Sequence, residues 1–380
     1  MNARKLTELH ERWGEKGFTV RMVNLINEGV MKQEDFSLKA LWEAMGRPRL
    51  TTQQLVTEDL QTEETLFVEA MDSTAFAKIT GSLINKVVQD AYDLEYGIGM
   101  NLVTKIPSSQ KDDIMVGFSA MDGLKELEEG EEYQETAYGE KYHKIYNQKY
   151  GRIIALTEEM IKFDQTGQMI QRAQRLGEKA KSKQEEIIWN ALCEKTSTGV
   201  LAAWRPAGTA TTLYSNTSTD PYTPSATLDN QITDVLTDET DIDAGMTLFA
   251  GRQDEEGDPI AVNLQGIAVN PGKASTIQKI FASPGSLATL SPAVINVYKG
   301  AFQPYSSPWI TNISGAAYWY MGDFKKQFIY TEVFPLQVFR VRNGSEAEFK
   351  RDIPLQWKAR FMGGCGAITN RYVIESTGGG

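Results

Sequence analysis

The run from Glu128 to Asp164, EEGEEYQETAYGEKYHKIYNQKYGRIIALTEEMIKFD, leads after a short gap into Gln168 to Leu192, QMIQRAQRLGEKAKSKQEEIIWNAL, and the periodicity changes between the two. In the first, Tyr138, Tyr142, Tyr146 and Tyr150 recur at every fourth position, with Gly139 and Gly151 bounding the last three. That spacing and tyrosine's β preference predict one face of a strand. A turn-rich acidic segment precedes it, holding Glu126, Glu128, Glu129, Glu131, Glu132 and Glu135. A two-stranded ribbon with this little apolar content has no core of its own and is marginal in water, so it must lean on another surface. In the second stretch Met169, Ala173, Leu176, Ala180, Ile187 and Ala191 form one helical stripe. At ~1.5 Å per residue its length is about 37 Å. Arg172, Arg175, Lys179 and Lys183 run beside the stripe, giving the helix a basic edge.

Working outward, the first sixty or so residues are polar with short amphipathic pieces (Leu6, Leu9, Trp13; Leu38, Leu41, Trp42) and read as an extended arm. A better helix follows, capped by Asp72 or Ser73, with Phe76, Ile79, Leu83, Ile84, Val87, Val88 and Ala91 on one face. Thr196 to Thr227 is rich in Ser, Thr, Gly and Pro and reads as a long loop or linker. Beyond it come an amphipathic segment, a hairpin-like turn at Asp254 to Asp258, a strand at Gly266 to Val269 and a helix after Pro271. Near the C-terminus Ile353, Leu355, Trp357, Ala359 and Phe361 alternate with Pro354, Gln356, Lys358 and Arg360, a strand with one face toward a core. The expected class is α+β, divided as arm and lead-in helix 1–112, ribbon 113–152, a peripheral domain in two parts 153–224 and 316–380, and an axial domain 225–315.

Composition excludes several kinds of protein. With 39 Lys+Arg against 50 Asp+Glu the formal net charge is −11, which argues against a chain whose main task is gripping phosphates. Cys193 and Cys365 are too few for a disulfide framework or a Cys-rich zinc site, and they read as buried structural thiols. The N-terminal stretch lacks the apolar run of a secretory leader, and the two charge-free stretches, Ile280 to Tyr298 and Gly300 to Gly322, contain prolines that speak against a membrane span. Only His10 and His143 are available for catalysis or metal binding. Gly97-Ile98-Gly99 lacks the third glycine of a nucleotide loop and reads as a turn. The glutamate cluster reads as a solvated loop, and Asp238, Glu239, Asp241 and Asp243 miss the spacing of a calcium loop and read as a solvated helix end. No catalytic residue, metal or cofactor is expected. The projecting parts carry opposite charges that cannot all meet within one subunit, which points to contact between copies.

The order of these features resembles the major capsid proteins of tailed phages with the Hong Kong 97-type shell fold. The quoted stretches correspond to that family's ribbon and spine helix. YWYMGDFKKQFIYTEVFPLQVFRVR (318–342), FKRDIPLQWKARFMGGCGAI (349–368) and NRYVIES (370–376) look like its closing strands, and IAVNPGKASTIQKIF (267–281) like a strand, Asn-Pro turn and helix of its central domain. The resemblance implies a non-enzymatic protein whose hexamers and pentamers close an icosahedral head around double-stranded DNA. Portal, scaffold or decoration proteins are implied as partners, with assembly in the host cytoplasm and no membrane. Some relatives cross-link a ribbon lysine to a distant asparagine. Lys125, Lys141 or Lys144 with Asn343 or Asn370 could be nominated, but a noncovalent shell is the reading taken. The expected inter-subunit contact sets Glu126, Glu128, Glu129, Glu131 and Glu132 over Arg172, Arg175, Lys179 and Lys183 of a neighbour, with Tyr138, Tyr142 and Tyr146 supplying burial. Open alternatives are an encapsulin-like compartment shell, a tail-tube or other virion component, and a carboxylate-dependent hydrolase acting through the glutamate cluster.

Overall fold

The computed structural model describes residues 3–30, 36–46, 74–94, 97–118, 140–196, 199–200, 204–206, 211–218, 220, 229–254, 257–285, 287–288, 295–340 and 355–379. In chain order it runs through helices α1 (Ala3–Asn27), α2 (Leu38–Gly46), α3 (Thr74–Asp93) and α4 (Gly99–Leu102), then strands β1 (Thr104–Pro107), β2 (Asp112–Phe118), β3 (Glu140–Tyr146) and β4 (Gln148–Leu156). Helices α5 (Glu158–Lys162) and α6 (Thr166–Leu192) follow, then β5 (Lys195–Thr196), β6 (Gly199–Val200), β7 (Gln231–Ile232), α7 (Glu239–Ala250), β8 (Gly266–Val269) and α8 (Pro271–Ala282). The chain closes with β9 (Gln303–Ser306), α9 (Pro308–Ile313), β10 (Trp319–Gly322), α10 (Phe324–Gln327), β11 (Phe328–Arg340), β12 (Leu355–Ala367) and β13 (Val373–Ser376). The architecture is α+β. Two units are distinguished: Met1–Tyr96, Lys149–Ser182 and Pro335–Phe361 form the first, and Gly97–Gln148, Lys183–Phe334 and Met362–Gly380 the second.

In the first unit, helices lie on one face of strands ordered β11-β12-β4. Phe18, Met22 and Ile26 of α1, Leu38 and Leu41 of α2, and Phe76, Ile79, Leu83, Ile84 and Val87 of α3 share a core with Met169 and Ala173 of α6 and with Leu355 and Trp357 of β12. The alternation of β12 holds: Leu355, Trp357, Ala359 and Phe361 are buried, while Lys358 is exposed. The start of α2 is tied down by side chains. Ser37 Oγ accepts from the Ala40 amide at 3.1 Å and donates to Asp164 at 2.8 Å, and the Leu38 amide donates to Thr166 Oγ1 at 2.9 Å. Helices α3 and α6 approach so closely at Gly177 that a Cβ there would fall on the Val88 carbonyl and 2.8 Å from Ala91 Cβ.

The second unit is built on a five-stranded sheet, β7-β13-β10-β8-β9, in which β10 runs antiparallel to both β13 and β8. Alternate residues of β10 face two cores. Trp319 and Met321 pack with Ile242 and Phe249 of α7 and Ile277 and Ile280 of α8. Tyr320 packs on the other side with Ile188, Trp189 and Leu192 of α6. Helix α8 begins where Asn270 and Pro271 predict, because Asn270 Oδ1 accepts from the Lys273 amide at 3.0 Å and proline occupies the first turn, where its missing donor costs nothing. Asp238 caps α7 through a capping box with Asp241, so the acidic cluster marks a helix start. Strand β1 pairs in parallel with β11, Thr104 opposite Ile329 through Pro107 opposite Glu332.

Two segments differ from the sequence reading. The N-terminal stretch is helical rather than extended: α1 bends at Gly14, whose φ of 63° only glycine adopts at little cost, and Leu6, Phe18, Met22 and Ile26 are buried. The described parts of the Thr196–Thr227 loop are pinned into the second core. Trp204 and Leu213 are fully buried, the Leu213 and Tyr214 amides donate to the Glu194 carboxylate at 2.5 and 3.2 Å, and the buried Asn230 carboxamide accepts from the Ser215 amide at 2.8 Å. Composition reports loop character, but it does not show that buried carboxylate and carboxamide groups hold the loop.

Gly177→Val should lower stability by about 1–3 kcal/mol, since neither a backbone carbonyl nor a packed methyl can yield to the new side chain. Gly167→Ala, with nothing within 4 Å of the added carbon, should leave the urea midpoint unchanged or raise it.

Candidate interface: ribbon, its anchor and the long helix

Strands β2 and β3 pair antiparallel from Asp112 opposite Tyr146 to Phe118 opposite Glu140. Side-chain alternation sorts them into two faces. Ile145 and His143 are buried, and Met115 opposite His143 is half-buried. Along that edge the Lys144 amide donates to the Arg205 carbonyl at 3.3 Å and His143 bridges to Pro206. The other face is bare: Ile114 is 56 % exposed, Val116 65 %, Tyr142 41 % and Tyr146 38 %. Lys144 sits among them, 3.4 Å from Asp112, and its hydrogen bond to that carboxylate raises its pKa. The Tyr146 ring receives two cations, the Arg205 guanidinium at 4.4 Å and the Lys144 ammonium at 5.0 Å from its centroid.

The ribbon is fastened at its base by Asn147, which lies between β3 and β4 and is 2 % exposed. Its carboxamide donates to Asp113 and, at 2.9 Å, to the Gln110 carbonyl; its Oδ1 accepts from Thr331 Oγ1 at 2.6 Å; and its amide donates to the Lys111 carbonyl at 2.8 Å. Ser108 Oγ completes the cluster by donating to Asp113 at 2.6 Å. One buried side chain thus ties the 108–113 segment to Thr331 of β11. Asn147 also corrects the tyrosine reading. It interrupts the run, so Tyr142 and Tyr146 share the bare face of β3, whereas Tyr150 falls on β4 and stacks on Phe361 at 5.3 Å. Tyr138 and the carboxylates Glu126, Glu128, Glu129, Glu131 and Glu132 lie outside the described residues.

Along α6 the basic edge is present: Arg172, Arg175 and Lys179 are exposed, and Lys183 is half-buried with an ion pair to Glu186 at 2.8 Å. The apolar stripe holds at Met169, Ala173 and Ala191, which are buried, while Leu176, Ala180 and Ile187 are half-buried. Toward its C-terminal end the buried face widens to take in Gln184, Glu185, Ile188, Trp189 and Leu192. Glu185 tolerates burial because its carboxylate accepts from the Gly99 amide at 2.8 Å and from Trp189 Nε1 at 3.2 Å. Gly97 and Gly99 are glycines for this reason: a Cβ at Gly99 would lie 2.7 Å from Glu185 Oε2. The glycine pair cradles a carboxylate of its own chain. Asn147 and Glu185 escaped the sequence reading, since an Asn within a polar run and one Glu of a Glu-Glu pair carry no periodic signal.

Among the described residues no group of three or more His, Cys, Asp and Glu is placed to hold a metal ion, and no helix is long and apolar enough to cross a membrane. Cys193 is buried, and burial pushes the Cys365 thiol up to about 12.

The family model for phage capsid proteins matches residues 144–374, more than half of the chain. The chain belongs to this family. As a phage capsid protein it is a structural component that forms the shell, and the family match favours that role over a compartment shell or a hydrolase. Comparison with functionally characterised sequences gives no match. Solved structures similar to the capsid protein include the capsid of a native GTA particle (13 % identity, 74 % of this chain and 91 % of that one, TM-score 0.49). Gordonia phage Cozz (11 %, 74 % and 86 %, 0.47) and a virus-like particle from Pyrococcus furiosus (8 %, 76 % and 96 %, 0.42) are others. The family match carries the assignment.

Asn147→Ala removes a carboxamide that several buried groups depend on and should cost about 1–3 kcal/mol. Hydrogen exchange should accelerate at β2 and β3 amides and stay unchanged in α3. Unchanged ribbon protection would contradict the anchoring role. In the native protein both thiols should react with a disulfide reagent at pH 8 far more slowly than after denaturation, because Cys193 is buried and desolvation raises the pKa of the half-buried Cys365 to about 12.

Proposed function

We propose that the protein is the major capsid protein of a tailed double-stranded DNA phage, tiling as hexamers and pentamers into an icosahedral Hong Kong 97-type head. The family match supports this reading, and one physical observation carries the self-assembly part of it: a ribbon anchored on one face and bare on the other. Burying the exposed parts of Ile114, Val116, Tyr142 and Tyr146 on a neighbour contributes on the order of 1 kcal/mol each at roughly 25 cal/mol per Å². Closed symmetry then multiplies modest contacts by the copy number.

In this reading 113–152 is the ribbon, 153–224 with 316–380 the peripheral domain, and 225–315 the axial domain. The acidic tip (Glu126, Glu128, Glu129, Glu131, Glu132) lies over Arg172, Arg175, Lys179 and Lys183 of an adjacent subunit. Exposed ion pairs contribute only ~0–1 kcal/mol each, so they set register while the ribbon's tyrosines, Tyr138 included, supply affinity. The shell encloses the genome without reading its sequence and works without catalysis or cofactor. Portal, scaffold or decoration proteins are its partners, and assembly takes place in the host cytoplasm.

Negative-stain microscopy of the expressed protein should show closed polyhedral particles; open tubes or dispersed monomers would reject the proposal. Arg175→Glu/Lys179→Glu should impair assembly while leaving the circular-dichroism spectrum and melting temperature of the subunit intact. Normal particles from this variant would reject the helix-edge contact.

A further inference from the structure

In the first unit the strand segments 149–156, 335–340 and 355–361 contain Lys149, Arg152, Arg340, Lys358 and Arg360 and not one aspartate or glutamate. In a chain whose formal net charge is −11, a sheet of this composition is an outlier. Its two faces differ. Ile154, Leu156, Leu336, Val338, Leu355 and Trp357 pack against the helices. By alternation Lys149, Ile153, Phe339, Lys358 and Arg360 lie on the opposite face. There Lys149 and Lys358 are exposed, Ile153 is 56 % exposed and Phe339 41 %, and the Arg360 guanidinium rests 4.7 Å over the Phe339 ring. Gly151 brings β4 and β12 close together, since a Cβ there would meet the Ala359 carbonyl at 2.8 Å. The result is a broad face carrying cations, with Gln337 and Gln356 as neutral donors between them.

We propose that this sheet face meets the phosphate backbone of packaged duplex DNA. The proposal rests on the shell reading and adds which surface of the subunit looks toward the genome. An acidic protein partner is the competing occupant, and the surface chemistry speaks against it. The two apolar side chains stand on different strands, one on β4 and one on β11, and one of them is covered by a guanidinium, so the contiguous apolar centre of a protein interface is missing. Phosphates need only cations and donors, which this face has. Lys358 and Arg360 are two residues apart on one strand, about 6.6 Å along it. Three cations against phosphates give a salt dependence of roughly −0.9 per contact, which is weak per subunit and summed over the shell. Such a wall holds a duplex loosely and does not oppose its release.

The test is titration of unassembled full-length subunits, in which this face is open to added duplex, with a fluorescent duplex of random sequence from low to physiological salt. The wild type should bind at low salt with a log–log slope between about −2 and −3. Lys149→Gln/Lys358→Gln, both at exposed positions, should bind roughly tenfold more weakly with a slope shallower by about 2, and should still form particles. Lys279→Gln/Lys299→Gln, which changes net charge equally at exposed positions of the second unit, should bind the duplex as the wild type does. Equal duplex binding by the wild type and the sheet variant, equal losses in the two variants, or no binding at low salt would overturn the proposal. A sheet variant that binds duplex normally and fails to assemble would assign the face to a protein neighbour. Failure of the wild type to form particles refutes the shell reading separately, because duplex binding is read on the protein itself.

Discussion

Two paired strands cannot bury two faces, and this constraint governs the ribbon. Its inner face is taken up by Ile145, His143 and the Asn147 network, so Ile114, Val116, Tyr142 and Tyr146 are left facing outward. An anchored strand pair with a bare apolar face is costly for a free subunit, because it exposes side chains that prefer burial and offers strand edges for pairing. In the proposed assembly the cost is recovered when sister copies cover the face. Membership of the phage capsid family places the ribbon in a protein whose role is the shell.

The anchoring chemistry is polar and buried, which suits a projecting element. A hydrophobic foot would tolerate sliding, whereas a carboxamide with several defined partners permits one orientation. The same device recurs elsewhere in the second unit, to which the ribbon also belongs. Glu185 receives the Gly99 amide and the Trp189 indole, Glu194 the amides of Leu213 and Tyr214, and Asn230 the Ser215 amide. These groups fix irregular backbone that packing alone would leave loose. Burial also leaves Tyr214 and Tyr320 with pKa values raised well above those of free phenols, so they act as neutral packing groups.

Regular elements were legible in the chain itself wherever periodicity and a local stop or start signal coincided. The alternation from Leu355 to Phe361 became β12, the Asn270-Pro271 pair became the start of α8, and Gly266 to Val269 became β8 with those bounds. Reading failed where tertiary contacts override the pattern. The spacing of Leu6, Phe18, Met22 and Ile26 is too sparse to declare a helix before its core neighbours are known, and the four-residue tyrosine rhythm hides the break at Asn147. The burial of Glu185 on α6 depends on glycines far away in sequence. Of the candidate contact residues, the tyrosines Tyr142 and Tyr146 and the basic edge of α6 were visible beforehand; Ile114 and Val116, which complete the bare face, emerge only when β2 is paired with β3.

Hydroxyl-radical footprinting of unassembled subunits against purified particles tests most directly whether sister copies cover this face. Oxidation of Tyr142 and Tyr146 should fall several-fold on assembly while exposed Leu94, away from the ribbon in the chain, changes little. Equal oxidation of both tyrosines in subunit and particle would contradict the account, because the ribbon's bare face would then remain uncovered in the finished shell.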